Sequence, residues 1–268
     1  MVSAPPAGAR AQAKTLFDLT DQVALVVGAG AGGLGEQAAL ALAGHGATVA
    51  VADLEPNLAT LQGIASSCGP GSTAHAVDVT SEQSVRALGD AVVASHGRID
   101  IVVNAAGVML RRAFDETSVE DFERVVRVNL TGAWLVGREF GARMRAAGGG
   151  RLVLVTTVYA ERVGPVPESA YYASKAGVAN LTRSLAAELG RDGVTVNCLA
   201  PAVFYPTAMT APLAGDPGQL AWFAERTMLG RLGDPTRDFA GPLLLLASPA
   251  SAYMTGQVVY VDGGWSAW

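Results

Sequence analysis

Two side chains in Ser169-Ala170-Tyr171-Tyr172-Ala173-Ser174-Lys175 are able to move a proton together. Tyr171 and Lys175 are four apart, so a helix puts them on one face. A free phenol ionises near pH ~10, too high to work readily at neutrality. A neighbouring ammonium favours the phenolate and draws that value down. The pair is an acid/base device once something reactive is held before it. Standing alone, it is also a common helical arrangement, with the ring packed and the amine in water.

The glycines upstream supply a reason for something reactive to be there. Val23-Ala24-Leu25-Val26-Val27 reads as a strand covered on both faces, and Glu36 to His45 reads as a helix ended by Gly46. Between them, Gly28-Ala29-Gly30-Ala31-Gly32-Gly33 satisfies G-x-G-x-x-G, with Gly35 just beyond. Such a turn lets backbone approach a pyrophosphate at a helix N-terminus. Thr48 to Ala52 is a second strand, closed by Asp53 20 residues after Gly33, where an acid can hold adenosine ribose hydroxyls. A carboxylate there repels a 2′-phosphate, and neither Leu54 nor Glu55 offers a cation to receive one. NAD is therefore the expected cofactor, ahead of NADP. Asp78 after Val77 is placed to meet an adenine edge. The small Ala105-Ala106-Gly107 run after Asn104 lets a cofactor lie flat against backbone. Asn129 stands in a helical pattern, where asparagine needs a local partner. By type, each of these is also an ordinary cap or turn residue.

The positioning elements alternate. Helices are expected over about 58–66, 82–95, 171–189 and 238–247, with one long helix or two over 122–144. Strands are expected at 74–77, 99–103, 152–155, 194–198 and 256–261. This predicts an α/β fold: a single-domain, Rossmann-type, doubly wound parallel sheet with helices on both faces, covering residues 18–268. Residues 1–17, rich in Ala and Pro and without a signal-peptide stretch, read as a loose tail. Residues 204–230, with Pro206, Pro212 and Pro217, break the alternation and read as an insertion covering the substrate.

Composition narrows the function classes. Half of the 268 residues are apolar and the net charge is -5, with no basic run. Nucleic acid and anionic membranes are therefore not expected partners. Leu243 to Ala247 is far too short to span a bilayer, so a cytoplasmic protein is expected. Cys68 and Cys198 make no disulfide framework, and His45, His75 and His96 are scattered, so no metal site is expected.

Taken in order, the Gly28–Gly35 turn, Asp53, Asp78-Val79, Asn104-Ala105-Ala106-Gly107, Asn129, Tyr171 with Lys175, and Val261-Asp262-Gly263-Gly264 resemble the short-chain dehydrogenase/reductase family over about residues 16–268. The resemblance implies cofactor contacts from Gly28, Gly30, Gly33, Leu34, Gly35, Asp53, Asp78, Val79, Asn104, Ala105, Gly107, Tyr171, Lys175 and Pro201. It implies Tyr171 as proton donor and acceptor, Lys175 lowering its pKa and holding the nicotinamide ribose, and Asn129 placing a water and the lysine. It also implies a homo-oligomer, a tetramer by preference.

The family's upstream serine is replaced by Thr156-Thr157. Thr157, fourteen residues before Tyr171, is the first candidate for the substrate oxygen, with Thr156 and Tyr159 as alternatives. The glycine turn is one residue longer than the family form, and Pro201-Ala202 stands for Pro-Gly, with its threonine late at Thr207. Leu16 to Thr20, Arg111-Arg112-Ala113 and Met209 to Leu213 look like the gluconate 5-dehydrogenase and deoxygluconate dehydrogenase group. That likeness implies a small polyol or sugar-acid substrate, with Arg111 or Arg112 pairing with a carboxylate. The aromatic run Val203-Phe204-Tyr205-Pro206 suits a less polar or cyclic ketone equally well. The expected activity is NAD-dependent interconversion of a secondary alcohol and a ketone. A dehydratase or epimerase, or a non-catalytic dinucleotide-binding protein on the same scaffold, is the competing expectation.

Overall fold

The computed structural model describes residues 16–268; most of the expected tail lies outside that range. Leu16 accepts the Ala250 N–H at 3.2 Å, and Leu19 is the first fully buried residue among those described.

β1 (Val23–Val27) leads through the glycine turn into α1 (Leu34–Gly44) and back along β2 (Thr48–Asp53). Then follow α2 (Leu58–Ser67), β3 (Thr73–Ala76), α3 (Glu82–His96) and β4 (Ile101–Asn104). α4 (Val119–Val126) passes through a π turn, Arg127–Thr131, into α5 (Gly132–Ala147) and β5 (Gly150–Val155). A 3-10 turn, Val158–Ala160, precedes α6 (Ser169–Leu189), which feeds β6 (Val194–Pro201). The insertion carries a 3-10 turn, Ala211–Gly215, and α7 (Pro217–Glu225), before α8 (Ala240–Ala247) and β7 (Val258–Val261).

Among the described residues the strands form one seven-stranded sheet ordered β3-β2-β1-β4-β5-β6-β7, and every pairing is parallel. The two halves of the chain diverge between β1 and β4, the switch point where such sheets open a crevice. Alternation along β1 shows why the sheet is covered twice. Val23, Leu25 and Val27 face α3, α5 and α6, whereas Ala24 and Val26 face α1, α2 and α8. Each fully buried Val or Leu contributes roughly 1.5–3 kcal/mol, so both layers are held by the same strands.

α4 starts three residues before the expected Phe122. Ser118 Oγ accepts the Asp121 N–H at 3.1 Å, and Glu120 and Asp121 occupy the first turn, a cap strong enough to begin the helix there. The 204–230 segment meets the glycine turn: Ala208 donates its N–H to Gly32 O at 2.8 Å.

Candidate active site

The carboxyl ends of the central strands open on one cavity of about 1020 Å³. At one end, Gly28 takes φ +81, and a Cβ there would stand 2.3 Å from Ala106 N. The turn passes under β4's loop only as glycine. Gly35 is as constrained, since its Cβ would meet Gly28 O at 2.1 Å. Gly28, Gly30, Gly33, Leu34 and Gly35 all line the cavity.

Asp53 is bound to this turn. Its Oδ2 accepts the Gly30 N–H at 2.9 Å, while Oδ1 accepts Leu54 N–H at 2.7 Å and Asn57 Nδ2–H at 2.9 Å. Leu54, Asn57 and Thr60 complete this end, and none of them is cationic. Asn57 was not foreseen; its signal was an amide side chain one helical turn after the strand-end acid. Asp78 and Val79 line the next stretch. Asp78 Oδ1 accepts the Thr80 N–H and O–H at 2.9 and 2.7 Å, so it also shapes the turn after β3.

Ala105, Gly107 and Pro201 line the middle. Asn104 does not: it is 4% exposed, and its Oδ1 accepts the Ala106 N–H at 3.3 Å. Asn104, expected as a cofactor contact, builds the turn that carries the lining residues Ala105, Ala106 and Gly107. Gly107 keeps the wall flat, for a Cβ there would be 3.3 Å from both Asn129 Oδ1 and Lys175 Nζ.

Tyr171, Lys175, Thr156 and Thr157 all line the far end. The two neighbouring threonines face opposite ways because β5 runs out through them in extended backbone. Thr156 Oγ1 donates to Lys175 O at 2.8 Å, on the helix side, whereas Thr157 Oγ1 donates to Pro201 O at 3.1 Å. The Thr157 hydroxyl is also near enough to the Tyr171 phenol to favour its ionised form. Tyr159 is placed elsewhere. Its ring lies 4.9 Å from that of Tyr172 and 5.9 Å from that of Trp265, packed behind Tyr171 in an apolar cluster.

Asn129 sits in the π turn, buried below the wall. Its Oδ1 accepts the Val108 N–H at 2.8 Å, and its Nδ2 donates to Val108 O at 2.9 Å and Ser174 Oγ at 3.0 Å. All its capacity toward these partners goes to joining β4's loop to α6, so it positions the site rather than touching what enters it. π turns inside helices recur at functional sites because the extra residue re-aims a side chain.

The charge balance differs from the expectation. Burial, with the nearby Glu168 carboxylate and Tyr172, pushes the Tyr171 phenol above its ordinary range. Burial also pushes Lys175 down to about 8. Lys175 Nζ donates to Val155 O at 2.9 Å and stands 5.8 Å from the Tyr171 ring centroid. In the protein alone, desolvation of both groups outweighs the pull of the ammonium on the phenol.

Neither arginine lies on the cavity wall. Arg111 Nε donates to Glu168 Oε1 at 2.8 Å, and Arg112 is paired with Asp121 at the surface. This corrects the expectation that one of them faces the pocket to take a carboxylate: each already has an acid of its own. Phe204 does line the cavity, with its ring edge-on to Phe239 at 6.2 Å. Thr207 and Met109 line the cavity too, and Glu168, the partner of Arg111, is buried behind it. Glu168 carried little signal, being an acid between prolines and the helix start.

The sequence profile of the family described as enoyl-(acyl carrier protein) reductase matches residues 28–266. The chain belongs to the short-chain dehydrogenase/reductase family. Among its relatives, D-threitol dehydrogenase of Mycolicibacterium smegmatis is 38% identical over 93% of this chain and 95% of its own. Cis-4-hydroxycyclohexanecarboxylate dehydrogenase of Sinomonas cyclohexanicum is 37% identical over 92% and 97%. The structure of a gluconate 5-dehydrogenase from Burkholderia cenocepacia, in complex with NADP and tartrate, superposes with a TM-score of 0.89 at 31% identity, covering 96% of this chain and 99% of that one. Members of this oxidoreductase family bind a nicotinamide dinucleotide. The crevice here fits one: glycines that no Cβ can replace bring backbone to its wall, and Asp53 with Asn57 and then Lys175 stand at its two ends. Among the described residues, no helix is long and apolar enough to cross a membrane.

Proposed function

We propose that this protein interconverts a secondary alcohol and a ketone with NAD(H), with Tyr171 as the proton carrier. One observation carries the reading: Tyr171, Lys175 and Thr157 line one end of a crevice whose other end is Gly30, Asp53 and Asn57. When bound, the dinucleotide supplies the hydride donor or acceptor. The chain's own work is alignment and proton transfer. In reduction, the Thr157 hydroxyl rotates from Pro201 O to donate to the carbonyl oxygen, and Tyr171 gives that oxygen its proton. In oxidation, Tyr171 Oη takes the proton of the substrate hydroxyl. Lys175 favours the phenolate that this requires and offers an ammonium to the nicotinamide ribose, while Asn129 holds the wall at Val108. NAD is preferred to NADP because the Asp53 carboxylate, flanked by Leu54 and Asn57, presents no cation to a 2′-phosphate.

The substrate reading is a small polyol or sugar-acid-like alcohol, supported by the likeness to the threitol dehydrogenase and the gluconate dehydrogenase structure. A second reading, a less polar or cyclic alcohol, is favoured by a specific feature. The cavity wall includes Val108, Met109, Ala202, Phe204 and Met209, and Arg111 and Arg112 are both paired with acids. The test is nicotinamide absorbance with NAD+ and NADP+ against D-threitol, gluconate, cyclohexanol and cis-4-hydroxycyclohexanecarboxylate. NAD+-linked turnover is expected, with Tyr171→Phe lowering kcat by about 10²–10⁴-fold while NAD+ still binds. No turnover across the panel, or an unaffected Tyr171→Phe, would sink the proposal. Exposed Phe122 and Trp134 on α4 and α5 support a homo-oligomer, with the tetramer as the proposed form.

A further inference from the structure

The 108–112 segment is fastened to the start of α6 by more than Asn129. Arg112 donates its N–H to Pro167 O at 3.0 Å. Arg111 Nε reaches Glu168 Oε1 at 2.8 Å, where the glutamate side chain is 2% exposed and the arginine 31%. Glu168 in turn caps α6, its carbonyl accepting the Tyr172 N–H at 2.9 Å. A buried carboxylate three residues before Tyr171 is costly unless paired, and its partner comes from the loop whose Met109 forms the cavity wall.

We propose that Arg111 and Glu168 are positioning residues for Tyr171: the clasp fixes the first turn of α6 against the 108–112 wall, and the balance of its two charges sets where on the pH scale Tyr171 exchanges its proton. The inference rests on the reading of Tyr171 as proton carrier. The titratable and charged groups around the tyrosine are Glu168, Tyr172 and Lys175 from its own helix and cap, Arg111 from the 108–112 segment, and Tyr159 from the 3-10 turn. Cys198 of β6 acts on Lys175. Within this set Glu168 opposes the phenolate and Arg111 supports it. The two partners of one ion pair therefore act on Tyr171 with opposite sign.

That opposition makes the test. Oxidation of cyclohexanol with NAD+ is followed as kcat/KM against pH in wild type, Glu168→Gln, Arg111→Gln and Arg111→Lys. In parallel, tyrosinate absorbance is titrated for each protein with and without Tyr171→Phe, which reads the phenol directly and needs no turnover. Glu168→Gln is expected to move the Tyr171 ionisation down by about one pH unit, and Arg111→Gln to move it up by a similar amount. Arg111→Lys, which keeps the charge, is expected to stay near wild type and covers the case in which Arg111→Gln fails to fold. An ionisation unmoved in Glu168→Gln, or moved the same way by Glu168→Gln and Arg111→Gln, overturns the proposal. If Tyr171→Phe turns over normally while the absorbance shifts are opposite, the clasp stands and the proton-carrier reading falls.

Discussion

Lys175 is a buried amine whose two environments differ sharply. Its value falls from 10.5 to about 8 through burial, so the fold holds a charge it would rather release. Below about pH 8 both the folded and unfolded chains carry that proton, and the folded state bears the full desolvation cost. As pH rises from about 8 toward 10.5 the folded protein loses the proton first, so the unfolded chain binds more protons and stability gains. Lys175→Met has no such group. Urea unfolding at a series of pH values should therefore show wild type gaining on Lys175→Met by up to about 3 kcal/mol across that window, and a constant difference would contradict it. The same residue shows what a sequence can hide. The four-residue spacing announced that Tyr171 and Lys175 share a face. It did not show that desolvation would push the phenol up, because that depends on how deeply the ring is buried and on Glu168 and Tyr172 beside it. Thr156 and Thr157 were alike in sequence, both hydroxyls at a strand end, and the spacing did not show that one would be held by Lys175 O and the other by Pro201 O.

At the scale of elements, the π turn between α4 and α5 does the work of a joint. It was partly legible, as an asparagine out of place in a helical pattern. Its geometry was not, because the partners Val108 and Ser174 are 21 and 45 residues away in the chain. Asn129→Ala removes all three of its hydrogen bonds and leaves the Val108 N–H and C=O, in a half-buried loop, without those partners. A loss of about 2–4 kcal/mol in unfolding free energy is expected, measured by urea denaturation; less than about half a kcal/mol would mean water replaces the side chain without cost. The strands were the most legible elements, since continuous Val and Ala runs covered on both faces admit few alternatives. The pairing of Arg111 with Glu168 spans 57 residues and left no local trace, which is why those arginines were read toward a substrate.

Over the whole molecule, the crevice lies between the β1–β2–β3 and β4–β7 halves of the sheet, so a dinucleotide touching both ends ties them together. Binding to the native state alone stabilises by about 2.7 kcal/mol at 100 times Kd. For a chain of this size that is a rise of about 5–10 °C in Tm. NAD+ is expected to give this shift in a thermal melt and NADP+ a smaller one at the same concentration; the reverse order would reject the role given to Asp53. Light scattering should return the mass of four chains for the proposed tetramer, and a monomer mass would leave Phe122 and Trp134 without the covering argued for them. The parallel order of the sheet and its switch point followed from the alternation of elements, whereas assembly depends on surface shape, which spacing does not encode.

Lys14 and Lys175 are the two lysines of the sequence, and the second is buried at the crevice. The body of the protein thus presents arginine, not lysine, wherever it needs a positive surface. Amine-directed labels, cross-linkers and coupling resins find no surface lysine there to consume them. A reagent that modifies residues 16–268 at a lysine has entered the crevice, and the extent of labelling becomes a direct gauge of how often that crevice is open.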